Sequence, residues 1–239
     1  MDRQDAQRSL VRPEFFARFF RRAEPTILVC FEERVYKSLA RKKNVEGERK
    51  IIGIPYRKLK GSKSAIAYIG VGAPMAAIGI EMLISLGVKK IVFFGSAGGI
   101  DPKLSIGDIC MCARALPDDG TSRSYIPAKK SFNASKKLTT ELKGELDITN
   151  EITVFTTDAF FMETPEKIRR FSSLGAQAVE MEAAAIFAIA EHRRVEAAGV
   201  LVVSDLLTEK GWVAGFWKPK FILSARSARE KLLRWLSQK

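Results

Sequence analysis

The run Ala197-Ala198-Gly199-Val200-Leu201-Val202-Val203-Ser204-Asp205 is apolar for seven residues and then stops at a hydroxyl and a carboxylate. A strand with one wet face alternates apolar and polar side chains; this one does not, so both of its faces are covered. Thr26–Phe31 (TILVCF) and Lys90–Phe94 read the same way. Short strands follow at Ile51–Leu59 and Ser64–Ile69, joined by a turn at Lys60-Gly61-Ser62, and further strands at Asp108–Ala115, Ile152–Thr156 and Ala176–Val179. Helical patterns separate them: Val35–Arg41, Met75–Leu86 closed by Gly87, Ala134–Leu142, Thr164–Phe171, Ala183–His192 and Leu223–Leu236. Strands alternating with helices predict an α/β fold, a three-layer α/β/α arrangement around a mixed, largely parallel central sheet.

No linker, repeat or low-complexity run interrupts the 239 residues, and 46% hydrophobic content is enough for one sizeable core. The expectation is a single domain over residues 1–239, with residues 1–24 as a helical N-terminal extension. That extension carries Phe15, Phe16, Phe19 and Phe20 on one helical face and Arg18, Arg21 and Arg22 on the other, a pattern for docking on the domain or on a neighbouring subunit. It has no apolar core followed by a cleavage site, so it does not read as a secretory signal. No apolar run approaches the ~18–20 residues that span a bilayer. Three cysteines, no CxxC pair and the single His192 argue against a zinc site and point to a reducing, cytoplasmic setting. The net charge of +13 raises nucleic acid as a partner. The cations are scattered, however, with no aromatic RNA motif or helix-turn-helix beside them, so a basic surface attractive to small anions is the better reading. Neither nucleic acid nor membrane is expected as a partner.

Ligands of open α/β sheets lie beyond the carboxyl ends of the strands. Four such ends carry polar or glycine-rich residues: Cys30–Arg34, Gly95-Ser96-Ala97-Gly98-Gly99, Val179-Glu180-Met181-Glu182 and Ser204-Asp205. A glycine loop after a strand aims backbone N–H groups at an anion. Glu180 and Glu182, placed where a buried helix begins, call for partners or a ligand, because buried Glu is rare unless paired.

Together these motifs resemble the nucleoside phosphorylase family, which includes hexameric purine nucleoside phosphorylases, uridine phosphorylases and methylthioadenosine nucleosidases. The resemblance runs from about Thr26 to Leu236 and rests on FGSAGGI (Phe94–Ile100), IGD (Ile106–Asp108), DDGTS (Asp118–Ser122), TTDAFF (Thr156–Phe161), VEMEAAA (Val179–Ala185) and VVSD (Val202–Asp205). It implies that Glu182 and Met181 hold the ribose, with Glu180 secondary, and that Phe160 and Val179 flank the base. It implies that Asp205 is a general acid toward N7 of a purine, a role that requires burial to raise its carboxyl enough to hold a proton. Phosphate would be held by Arg34, by Ser96 with Gly95, and by Arg49 or Lys50 from a neighbouring subunit. Two positions depart from the pattern: Cys30 replaces a glycine, and Phe93 replaces an arginine before Gly95-Ser96. The implied activity is phosphorolysis of a purine nucleoside by a dimer-based homo-oligomer, a hexamer, with orthophosphate as co-substrate and no metal or organic cofactor. Alternatives are a nucleosidase using water with Glu32 or Glu33 as base, a uridine phosphorylase, and a binding protein of the same fold without turnover.

Overall fold

The computed structural model describes residues 9–208 and 210–239. Along the chain, helix α1 (Pro13–Ala17) precedes strand β1 (Thr26–Cys30), α2 (Glu33–Ala40), β2 (Arg49–Ile51), β3 (Ile54–Lys58), β4 (Ser64–Tyr68) and α3 (Ala73–Ser85). Then come β5 (Lys90–Gly99), β6 (Ile109–Asp118), α4 (Gly120–Tyr125), β7 (Phe132–Asn133), α5 (Lys136–Leu146) and β8 (Glu151–Thr157). A 3-10 turn at Phe160–Met162 leads to α6 (Pro165–Ser173), β9 (Ala178–Glu180), α7 (Ala183–Arg193), β10 (Glu196–Thr208), β11 (Gly211–Ala214) and α8 (Pro219–Ser237).

All 11 described strands belong to one mixed sheet. Its longest pairings, β5 with β10 and β6 with β8, are parallel, as are both pairings of β1. Side chains of the central strands alternate between two layers. Ile27, Val29, Ile91 and Phe93 face α3 and α7, whereas Leu28, Cys30, Val92 and Phe94 face α5 and α8. That double burial is what the unbroken apolar runs encode. The N-terminal segment is less helical than expected. Among residues 9–24 only Pro13–Ala17 is helix, and Phe15, Phe16 and Phe19 stay exposed while Phe20 packs on the core. The remainder of that extension, residues 1–8, lies outside the described residues.

Three local readings change. The stretch Ile51–Leu59 is two strands, because Ile52 (φ 50°) and Gly53 (φ 80°) make a two-residue turn pairing Ile51 with Ile54. Two positive φ angles in succession match the twist of a tight hairpin. Second, Gly95-Ser96-Ala97-Gly98-Gly99 is no loop: it continues β5 and pairs with β10 from Leu201 to Leu206. Its glycines serve close packing, since a Cβ on Gly98 would lie 2.6 Å from Leu207 and one on Gly99 2.8 Å from Leu206. Third, the sheet is not open. Short β9 pairs with both β8 and β5, and β10 pairs with both β5 and β6, so β5, β10, β6, β8 and β9 close a ring.

Candidate active site

A cavity of about 140 Å³ opens where the ends of β1, β5, β9 and β10 converge. Its wall includes Glu32, Ser96, Met181, Glu182, Asp205 and Phe160, gathered from five separate segments.

Asp205 reaches this cavity through a bulge. The register between β5 and β10 slips between Val203 and Asp205, leaving Ser204 as the extra residue and setting Asp205 opposite Gly98. Bulges re-aim side chains in this way. Asp205 is only 4% exposed, yet both its oxygens are satisfied. Ser204 donates its hydroxyl to Oδ1 at 2.6 Å, and the Trp212 indole N–H donates to Oδ2 at 2.7 Å across the β10–β11 hairpin.

Glu180 and Glu182 resolve their burial differently. Glu180, read as having a protein partner or a secondary place in the site, lines the cavity and also caps a helix. Its Oε2 accepts from the backbone N–H groups of Glu182 and Ala183, and its Oε1 from the Thr156 hydroxyl. With both oxygens engaged it anchors the N-terminus of α7, a favourable place for a carboxylate. Glu182 accepts at Oε1 from the Gly72 N–H at 2.6 Å, and among the described residues no side chain donates to its carboxyl. Burial, reinforced by the neighbouring Glu180 charge, holds its carboxyl well above the usual range. A buried carboxyl with free acceptor capacity is suited to paired hydroxyl donors.

On the opposite wall, Glu32 takes the place expected for Arg34. Glu32 accepts from the Ser96 hydroxyl at 3.2 Å, whereas the Arg34 side chain is 73% exposed and donates from Nε to Glu32 at 3.2 Å. Arg34 thus stands one carboxylate away from Ser96 and does not line the cavity. Helix α2 starts at Glu33, so the residue before it, Glu32, stays in extended backbone and points inward. Arg49 lies exposed on the short edge strand β2, outside its own chain's cavity. Gly95 and Val179 line it. Phe93 does not: it is buried between Phe31 and Phe187, on the α7 side of the sheet.

Two contributors escaped the sequence reading. Glu163 lines the cavity, and burial, with the Asp205 charge adding to it and Lys167 opposing, pushes its carboxyl up to about 7. It follows the Phe160–Met162 turn and carries no motif of its own. Trp212 had a signal, because Lys210-Gly211 marks a turn that folds residue 212 back toward 205.

The phosphorylase superfamily, as a family model, matches residues 26–237. The guanosine phosphorylase of Halorubrum lacusprofundi is 30% identical over 168 residues, spanning 67% of this chain and 67% of that protein. The chain thus spans about two thirds of the length of the curated relatives it matches. Purine nucleoside phosphorylase from Toxoplasma gondii, solved in complex with immucillin-H, superimposes with a TM-score of 0.78 at 19% identity, over 90% of this chain and 91% of that one. The 5′-methylthioadenosine/S-adenosyl homocysteine nucleosidase of Campylobacter jejuni does so with a TM-score of 0.75 at 20% identity, over 91% and 100%. At these identities the two structural likenesses are likenesses of fold.

Proposed function

This chain belongs to the phosphorylase superfamily, and from that premise we propose that it cleaves the N-glycosidic bond of a purine nucleoside by phosphorolysis. The observation that carries the reading is the pairing of Glu182, buried with acceptor capacity to spare, with Asp205 in the same small cavity. The guanosine phosphorylase relative supports the purine side.

In this reading Glu182 accepts hydrogen bonds from the two vicinal ribose hydroxyls, and Met181 packs on the sugar. Those contacts strengthen as positive charge develops on the ring. Phe160 and Val179 flank the base, and Asp205 faces its imidazole edge. As the C1′–N9 bond breaks, its electron pair passes to the purine, which takes a proton at N7. A phosphate oxygen forms the new bond to C1′, giving free base and ribose 1-phosphate. Glu163 lines the same cavity, its carboxyl pushed up to about 7 by burial and by the Asp205 charge, so it is an acid within the site. Ser96 and Gly95 meet the phosphate, with Arg34 turning inward from Glu32 and Arg49 arriving from a second copy. No metal or organic cofactor enters this scheme. We place the enzyme in the cytoplasm as a dimer-based homo-oligomer, a hexamer.

A second reading rests on Glu32. A carboxylate bonded to Ser96 is a ready base for water, and hydrolysis would then give free ribose. Incubating inosine, guanosine, adenosine, methylthioadenosine and uridine with and without phosphate separates the two. Ribose 1-phosphate formed only with phosphate supports phosphorolysis; free ribose at a phosphate-independent rate replaces it with hydrolysis. Turnover of uridine alone would overturn the purine assignment.

A further inference from the structure

A second groove, of about 620 Å³, lies between β6, α4 and α6 and shares no lining residue with the first cavity. Its floor is apolar, made of Leu116, Pro117 and Phe171. Five cations line it: Arg114, Arg123, Lys129, Lys130 and Arg170; no Asp or Glu does. These residues are scattered along the sequence and meet only in the fold.

Lys129 is neutralised by Glu191. Among the described residues, Arg123 donates only to the Pro117 carbonyl, at 2.9 Å, and Arg170 lies over the Phe171 ring at 5.1 Å. Arg114 is the telling residue. It projects from β6 beside a register shift, is half-buried, and its Nε is sealed from solvent without a hydrogen-bond partner. A Cβ on Gly175 would sit 3.3 Å from its Nη2, so the glycine leaves the guanidinium its seat. Like charges drawn together over an apolar floor repel one another, and a buried donor without an acceptor costs free energy. An anion bound in the groove relieves the repulsion.

The volume is that of a small-molecule site, roughly 300–1,000 Å³, and far exceeds a bare phosphate. We propose that this groove is a second ligand site, which takes a phosphate ester with a flat apolar portion of nucleoside-monophosphate size. The phosphate meets Arg114 and the rim cations, and the flat portion lies against Pro127 and Leu174, exposed apolar residues of the lining.

The test is calorimetric titration of the full chain with AMP, adenosine and inorganic phosphate at low salt. AMP is expected to bind more tightly than either fragment, and to weaken as salt screens the cations. Arg114→Met is expected to weaken AMP at least tenfold, and Lys130→Glu and Arg170→Glu, on the exposed rim, several-fold. Glu182→Ala should leave this binding unchanged, because that residue belongs to the other cavity. Three results overturn the proposal: AMP binding lost in Glu182→Ala but kept in the groove variants, inorganic phosphate binding as tightly as AMP, or no AMP binding at millimolar concentration.

Discussion

Two carboxyl groups one residue apart in a dry place face the same electrostatic problem, and Glu180 and Glu182 meet it in opposite ways. Glu180 spends its acceptors on the end of a helix; Glu182 keeps most of its own free. Substituting them should therefore give different signatures. Glu182→Ala is expected to keep the thermal midpoint near wild type while turnover falls at least a hundredfold, since contacts that strengthen in the transition state are lost. Glu180→Ala is expected to lower stability by about 1–3 kcal/mol, as several N–H and O–H donors lose their acceptor in the interior. Denaturant melts run beside steady-state kinetics on both variants distinguish the roles. Asp205→Asn, which keeps the size and one acceptor for Trp212 but has no carboxyl proton to transfer, should cost roughly 10²–10⁴-fold with ordinary purine nucleosides. The loss should be much smaller for one already alkylated at N7.

Glu163 adds a pH effect at the same scale. Its carboxyl, at 4.5 in the unfolded chain, is held up to about 7 in the fold. Between those values the folded state binds the extra proton, so stability falls as pH rises through that window. Glu163→Gln removes the penalty. The variant is expected to be more stable than wild type at pH 8, by about 1 kcal/mol after solvent screening is allowed for. At pH 4 the difference should vanish. Equal pH dependence of the two proteins would show that Glu163 is not the group involved. This residue was invisible in the sequence because its burial and its approach to Asp205, 42 positions away, arise only in the fold. Glu182 and Asp205 were legible because each is a carboxylate set close to a run of apolar residues within a motif. Arg34 and Glu32 were adjacent candidates, and only the start of α2 decides which one turns inward.

At the scale of elements, glycines carry the story. The chain reads Gly95–Gly99 as a turn because nothing in one strand reveals how closely its neighbour will lie. The same holds for Gly199 on β10, where a Cβ would come within 2.1 Å of the Phe93 ring. Phe93 stands where the family pattern has an arginine, and its neighbours give the reason: it fills the space that Gly199 vacates and packs on Phe187. Gly199→Ala is expected to destabilise the protein by about 1–3 kcal/mol through overpacking, measurable as a shift in denaturation midpoint. The strands were legible in type because double burial leaves unbroken apolar runs. Their ends were not, since β5 and β10 extend through polar and glycine residues that pair only in the ring.

For the whole molecule, exposure marks what a single chain leaves unfinished. Met75 and Ile78 on α3, and Val71 just before it, hold their side chains in solvent, near exposed Phe15, Phe16 and Phe19. Apolar area of this kind on a folded chain is normally covered. Sedimentation at micromolar concentration is expected to show a dimer or larger, and Ile78→Asp should shift it toward monomer; a wild-type monomer would remove the neighbouring copy from the site. Among the described residues no helix is long and apolar enough to cross a membrane.

The closed ring also governs how a nucleoside gets in. Strands β5 and β10 are hydrogen-bonded on both flanks, so neither can swing aside without breaking two ladders at once. Breathing then falls to cavity-lining residues outside those ladders, Val71 and Phe160. Isotope exchange would read this directly: amides in the middle of β5 and β10 should be among the last to take up deuterium, on the timescale of global unfolding. The amides of Val71 and Phe160 should exchange early and slow down once a nucleoside is bound, whereas that of Gly72, held by Glu182, should not exchange early. The barrel is the fixed frame, and the traffic of substrate and product runs over its rim.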